Sequence, residues 1–288
     1  MVEGLSAVGG DPQSEAWQRD RACYDRVMEK PRFGSIVRGT VVLAMLAGGC
    51  AWGREYYDLR IYDFRTEEAA RSFDAAMESA GVAALKKSGA TTIGVFKRRV
   101  EEGKEATPER YLLLAGPSAG VVAGLAECDG EGLKDDEAVK KYLATPMKDP
   151  AFTRIESTLL GAFKDFPALA DPEGDGGAER HFELRIYQSH NELKARLKVE
   201  MFNEGGELGI FRETGLRGVF FGEGLIGTDL PKLAYMLVHE NDAEKQKTWD
   251  AFKSAPAWDK LKKDERYADT VSKIDARFLV AMAYSPLK

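Results

Sequence analysis

Tyr57, Asp58, Leu59, Arg60, Ile61 and Tyr62 form a six-residue phrase that returns in the second half of the chain as Phe182, Glu183, Leu184, Arg185, Ile186 and Tyr187. The recurrence extends further. Gly-Val-Phe stands at residues 94–96 and again at 218–220. Asp-Pro-Ala-Phe at 149–152 is answered by Ala-Pro-Ala-Trp at 255–258, and Phe-Pro at 166–167 by Ser-Pro at 285–286. Landmarks that recur in one order are the signature of a duplicated supersecondary unit. A length of 288 residues fits one large domain or two ordinary ones, and the duplication selects two. The expected boundaries are 55–170 for the first unit and 181–288 for the second. The Gly-, Pro- and acid-rich stretch 171–180 joins them as a linker, and 1–50 forms an N-terminal extension.

Each unit reads as strand, helix, strand, strand, helix, strand. In the repeated phrase Tyr57, Leu59 and Ile61 alternate with Asp58, Arg60 and Tyr62, the period-2 pattern of a half-buried strand. After it, Thr66 is placed to cap a helix whose first turn carries Glu67 and Glu68. In the second unit the order Ser189, His190, Asn191, Glu192 predicts a capping box, with Ser189 as N-cap. Leu193, Leu197 and Met201 follow at helical spacing, and Gly205 and Gly206 end the helix. Pro256 breaks the later helix. "GEGLIG" at 222–227 has the glycines of a dinucleotide fingerprint, but it lies between two strand-like runs and opens no helix, so it predicts a hairpin turn. A βαββαβ unit is ferredoxin-like, an α+β arrangement with an antiparallel sheet carrying both helices on one face. Two tandem copies can set their open sheet faces together within one chain, an intramolecular pseudo-dimer.

The second unit, through "HFELRIYQ", "FRETG", "VFFGEGLIGTDLPKLAYMLVHEN" and "TWDAFKSAPAW", resembles the NIPSNAP family of the dimeric α/β-barrel superfamily. The resemblance spans about 181–287. It weakens over 56–169, where "YYDLRIYDF" and "DPAF" survive beside a longer insertion, "GPSAGVVAGLAECDGEGLKDDE". It implies the barrel fold more firmly than a function. Eukaryotic members resemble mitochondrial interaction or trafficking factors, and the resemblance transfers no agreed catalytic residues.

Composition excludes several classes. Hydrophobic residues at 44% and charged residues at 31% describe a chain able to bury a core. A net charge of −6 lacks the basic field of nucleic-acid binding, so no nucleic acid is expected as partner. Cys23, Cys50 and Cys128 are too scattered for a disulfide framework, and His181, His190 and His239 show no metal-binding spacing. No metal and no cofactor are therefore expected. Over residues 28–50, Lys30, Arg32 and Arg38 precede a short apolar run and then "AGGC", the layout of a secretory signal. The run is too short to span a membrane. "AGGC" resembles a bacterial lipobox and predicts lipidation of Cys50, with residues 1–27 lying upstream of a start at Met28. The expected location is the bacterial cell envelope, outside the cytoplasm and anchored by lipid.

For chemistry, the alternation predicts that Leu59, Ile61, Leu184 and Ile186 pack under the helices. Arg60, Tyr62, Arg185 and Tyr187 then face the interior between the units. There they would form a pocket for a small anionic or aromatic molecule, or a seam in which each arginine pairs with the neighbouring acid. The pairing reading is preferred. His239 can act as a base near neutral pH, although a strand-end histidine is more commonly a surface residue. Trp249, Phe252 and Trp258 have core spacing. No catalytic motif is present. Small-molecule binding or protein interaction is the expected role, with a protein partner or a second copy of the chain as further partners. The alternative is a cofactor-independent oxygenase or isomerase using the pocket between the units.

Overall fold

The computed structural model describes residues 53–288 apart from 101, 102, 104, 106, 126–132, 173 and 175. The signal segment, Cys50 and Cys128 lie outside the described residues. The elements in chain order are β1 (Tyr56–Asp63), α1 (Glu67–Ala76), a π-turn (Met77–Gly81), α2 (Val82–Lys87), β2 (Thr92–Arg98), β3 (Glu109–Gly116), α3 (Ala119–Gly124), α4 (Glu137–Leu143) and β4 (Arg154–Ala162). The second unit follows with β5 (His181–Gln188), α5 (Glu192–Phe202), α6 (Glu207–Glu213), β6 (Arg217–Ile226), β7 (Lys232–His239), α7 (Asp242–Ser254), α8 (Pro256–Leu261) and β8 (Lys273–Ala281).

All eight strands close into one barrel in the order β1-β3-β2-β8-β5-β7-β6-β4. Within each half the order is fourth, first, third, second strand, the ferredoxin-like arrangement. The halves are joined twice in the same way, second strand to fourth strand of the other unit. β2 meets β8 with Phe96 opposite Ala281, and β6 meets β4 with Gly224 opposite Leu160. The fold is thus a pseudo-dimer of two ferredoxin-like units. Closure leaves this sheet, among the described residues, without an open edge for pairing with another chain.

The repeated phrase forms the first strand of each unit, in matching registers: Arg60 lies opposite Leu112 and Ser157, and Arg185 opposite Tyr235 and Ala276. The faces are the reverse of those expected. Tyr57, Leu59 and Ile61 together with Phe182, Leu184 and Ile186 fill the barrel interior, where Phe96 packs on Phe182 with ring centroids 4.9 Å apart and Tyr57 on Phe220 at 5.2 Å. Tyr62 and Tyr187 lie on the outer faces beneath the helices. The interior is filled mainly by apolar strand residues, joined by Leu287 and Leu169 from outside the strands. The helix-covered faces can draw partners for polar groups from the helices.

Local caps divide between expectation and correction. Thr66 caps α1, its hydroxyl accepting from the Ala69 amide at 3.2 Å. In the second unit Asn191 rather than Ser189 is the N-cap, accepting from Lys194 N at 2.9 Å, while Ser189 Oγ donates to the Thr270 carbonyl at 2.6 Å. On α5 the expected apolar stripe is displaced. Leu193 is 61% exposed and Lys198 is buried, held by an ion pair to Glu207 at 2.7 Å. α7 ends at Ser254 and α8 begins at Pro256, as the proline requires. Most of "GEGLIG" is strand rather than the expected turn: residues 222–226 belong to β6, and the connection to β7 starts only at Gly227.

Candidate functional site

The two repeats carry the same arginine and tyrosine between sheet and helices but build different surroundings for them. In the second unit Glu183 is the hub. It is 2% exposed and accepts from Arg185 Nη1 at 2.6 Å and Trp249 Nε1 at 2.8 Å, with His239 Nε2 at 3.2 Å. Burial pushes its carboxyl upward, but the bonds from His239, Arg185 and Trp249 prevail and bring it down to about 2. The Arg185 guanidinium lies 5.0 Å from the Trp249 ring centroid and 5.5 Å from that of Tyr187. The Tyr187 and Tyr235 hydroxyls meet at 3.0 Å. His239 is therefore a buried member of the network, 1% exposed and opposite His181 on the neighbouring strand, rather than a surface residue.

Aromatic rings occupy the remaining space over this sheet face. Phe202 lies 5.4 Å from Tyr235 and 5.8 Å from Phe221, and Phe211 lies 4.9 Å from Phe252. Lys198 sits in the same layer with its ammonium 4.6 Å from the Phe202 centroid. Burial raises the carboxyl of its partner Glu207 above the usual range, with Lys198 opposing. Nothing in the spacing of α5 marks Lys198 as buried, because a lysine on an amphipathic helix reads as solvent-facing. Trp249 and Phe252 have the core role their spacing indicated.

The first unit leaves the corresponding space open. Arg60 and Tyr62 stand on one wall of a cavity of about 330 Å³ between β1 and the helices, with Phe73, Met77, Leu112 and Tyr142 among its apolar lining. α1 passes into α2 through the π-turn, and both Met77 and Gly81 from that turn face the cavity. Such insertions displace the helix wall locally and recur at functional sites. Arg60 Nε donates to Asp58 at 2.5 Å, and Asp58 is held in turn by Ser157 Oγ at 2.7 Å. Burial lowers the Arg60 pKa, and the Asp58 carboxylate more than offsets it, so the guanidinium stays charged. Its Nη2 is buried with no hydrogen-bond partner among the described residues. Lys134 also lines the cavity, and no acidic residue is among its described lining. Each arginine pairs with the acid two residues before it. Arg60 and Arg185 belong to separate helix-covered faces and do not converge between the units.

These features define a dimeric α/β barrel made within one chain. Residues 182–286 match the NIPSNAP family model, so the second unit is a NIPSNAP domain. A "putative monooxygenase" from Lactobacillus acidophilus NCFM has a similar fold, with a TM-score of 0.52 at 12% identity over 79% of this chain and 94% of that one. A NIPSNAP-like domain protein from Burkholderia xenovorans aligns at 20% identity with a TM-score of 0.34, over 38% of this chain and 91% of its own. A NIPSNAP family protein from Agrobacterium tumefaciens aligns at 16% identity with a TM-score of 0.34, over 38% and 100%. No curated protein matches the chain.

Proposed function

We propose that the protein binds a small organic anion in the first-unit cavity, an apolar body against Phe73, Met77 and Tyr142 and an anionic group at Arg60. The observation that carries this reading is the buried, unpartnered Nη2 of Arg60 on the wall of an apolar cavity. A charged donor left unsatisfied costs on the order of 1–3 kcal/mol or more, and a ligand oxygen would relieve it. The volume of about 330 Å³ falls within the roughly 300–1,000 Å³ of small-molecule sites. The oxygenase or isomerase alternative draws on Arg185, Tyr187 and His239, which lie on the helix-covered face of the second unit, while among the described residues the space lined from both units holds none of them. The second unit, packed with aromatic rings over the same face, serves as the rigid half.

Calorimetric titration of the full chain with 1-naphthoate and with its neutral amide tests the reading. The carboxylate should bind at least about tenfold more tightly, and Arg60→Met should erase that preference while leaving the far-ultraviolet circular dichroism unchanged. Equal binding of carboxylate and amide to the wild type refutes it. We further propose export and attachment to the bacterial envelope through a lipidated Cys50. The basic, apolar and small-residue order of residues 28–50 supports this reading.

A further inference from the structure

The first-unit cavity is open to solvent, and aliphatic side chains stand at its mouth. Leu143, at the end of α4, is 69% exposed and Ile155, near the start of β4, is 41% exposed, yet both line the cavity. A lone exposed aliphatic residue is ordinary on a protein surface. Here the two extend an apolar wall whose inner part, Leu112, Leu125 and Val139, is buried. Leu125 belongs to the insertion found only in the first copy, so this wall has no counterpart in the second. Arg60 and the exposed Lys134 are the only charged residues in the described lining.

Strand register relates the mouth to the charge. Ser157 lies opposite Arg60 and Ile155 opposite Tyr62. Ile155 is therefore one same-face step along β4, about 7 Å, from the position facing Arg60. The cavity volume of about 330 Å³ is about twice the roughly 150 Å³ that accepts one benzene ring, so about a dozen non-hydrogen atoms fill it. A rigid ring system of that size stops at the rim and leaves Leu143 and Ile155 in water. An alkyl chain can fill the cavity and continue over them, and each methylene fully removed from water strengthens binding about fourfold.

We infer that the ligand is a long-chain alkyl carboxylate, its head at Arg60 and the far end of its chain lying over Leu143 and Ile155. The inference rests on the anion site proposed above and adds the chemical class that the site takes.

Calorimetric titration of the full chain with octanoate, decanoate and tetradecanoate, each below its micelle concentration, tests it. Affinity should rise along the series, with tetradecanoate at least about tenfold tighter than decanoate. Leu143→Ser combined with Ile155→Thr should weaken tetradecanoate at least about tenfold and octanoate at most about twofold. Both side chains are exposed, and the wild-type series carries the test if the double variant does not fold. Tetradecanoate no tighter than decanoate, or equal losses for octanoate and tetradecanoate in the variant, would overturn the inference. If 1-naphthoate still binds in preference to its amide, the anion site stands and only the alkyl class falls; if no carboxylate binds, both fall.

Discussion

Glu183 shows how a single carboxylate organises the helix-covered face of the second unit, since three donors from two strands and one helix end on it. Its pKa lies at about 2 against an ordinary 4.5, so its folded value is depressed. A depressed carboxylate contributes stability that is present above its unfolded pKa and is lost as pH falls through the folded one. The loss therefore runs from about pH 4.5 down to about pH 2. Glu183→Gln should cost about 3 kcal/mol near neutral pH, because it leaves the half-buried Arg185 without its countercharge. The gap between wild type and variant in urea unfolding should shrink between pH 5 and pH 2, and a gap that does not vary with pH would contradict the assignment. The pairing itself was legible in the sequence, where Asp58 precedes Arg60 and Glu183 precedes Arg185 by one same-face step along a strand. The third donor was not, because the indole of Trp249 comes from a helix 66 residues away.

At the scale of elements, the two units differ in what stands over the same strand. α5 and α6 bring Phe202 and Phe211 onto the sheet, whereas α1 is displaced by the π-turn and leaves space beside Met77. Phe202→Ala should destabilise by about 3–5 kcal/mol, since a fully buried ring leaves a void that rigid neighbours cannot close. Met77→Ala should cost less, about 2 kcal/mol, because that side chain borders an existing cavity and the loss is mainly one of transfer from water. Guanidinium unfolding of the two variants compares them directly, and equal losses would mean the two faces are equally packed. The divergence of the first copy was visible in the sequence as drift and insertion. That the drift opens a cavity was not, because volume depends on how helices seat on the sheet.

For the whole molecule, closure of eight strands makes the two repeats one body, with residues 51–288 forming a single compact unit. Among the described residues no helix is long and apolar enough to cross a membrane. The proposed attachment at Cys50 rests on the lipobox-like order of residues 28–50. A bacterial host fed an alkynyl fatty acid should incorporate label into the wild-type chain and not into Cys50→Ala. Labelling of both chains, or of neither, would rule the anchor out.

The duplication, the βαββαβ order of each unit and the strand character of the repeated phrase were all determined by sequence, since periodicity, caps and breakers are local properties. Which face of that strand looked inward was decided only by the tertiary structure. Alternation distinguishes two faces, but in a closed barrel beneath helices both are buried. Leu59 and Ile61 went inside to the apolar centre of the barrel with Phe182, Leu184 and Phe220, whereas the other face gave Arg60 and Arg185 their carboxylate partners. Arg60 and Arg185 went under the helices, where Arg185 found Glu183 and Tyr187 and Arg60 kept a buried nitrogen unpaired.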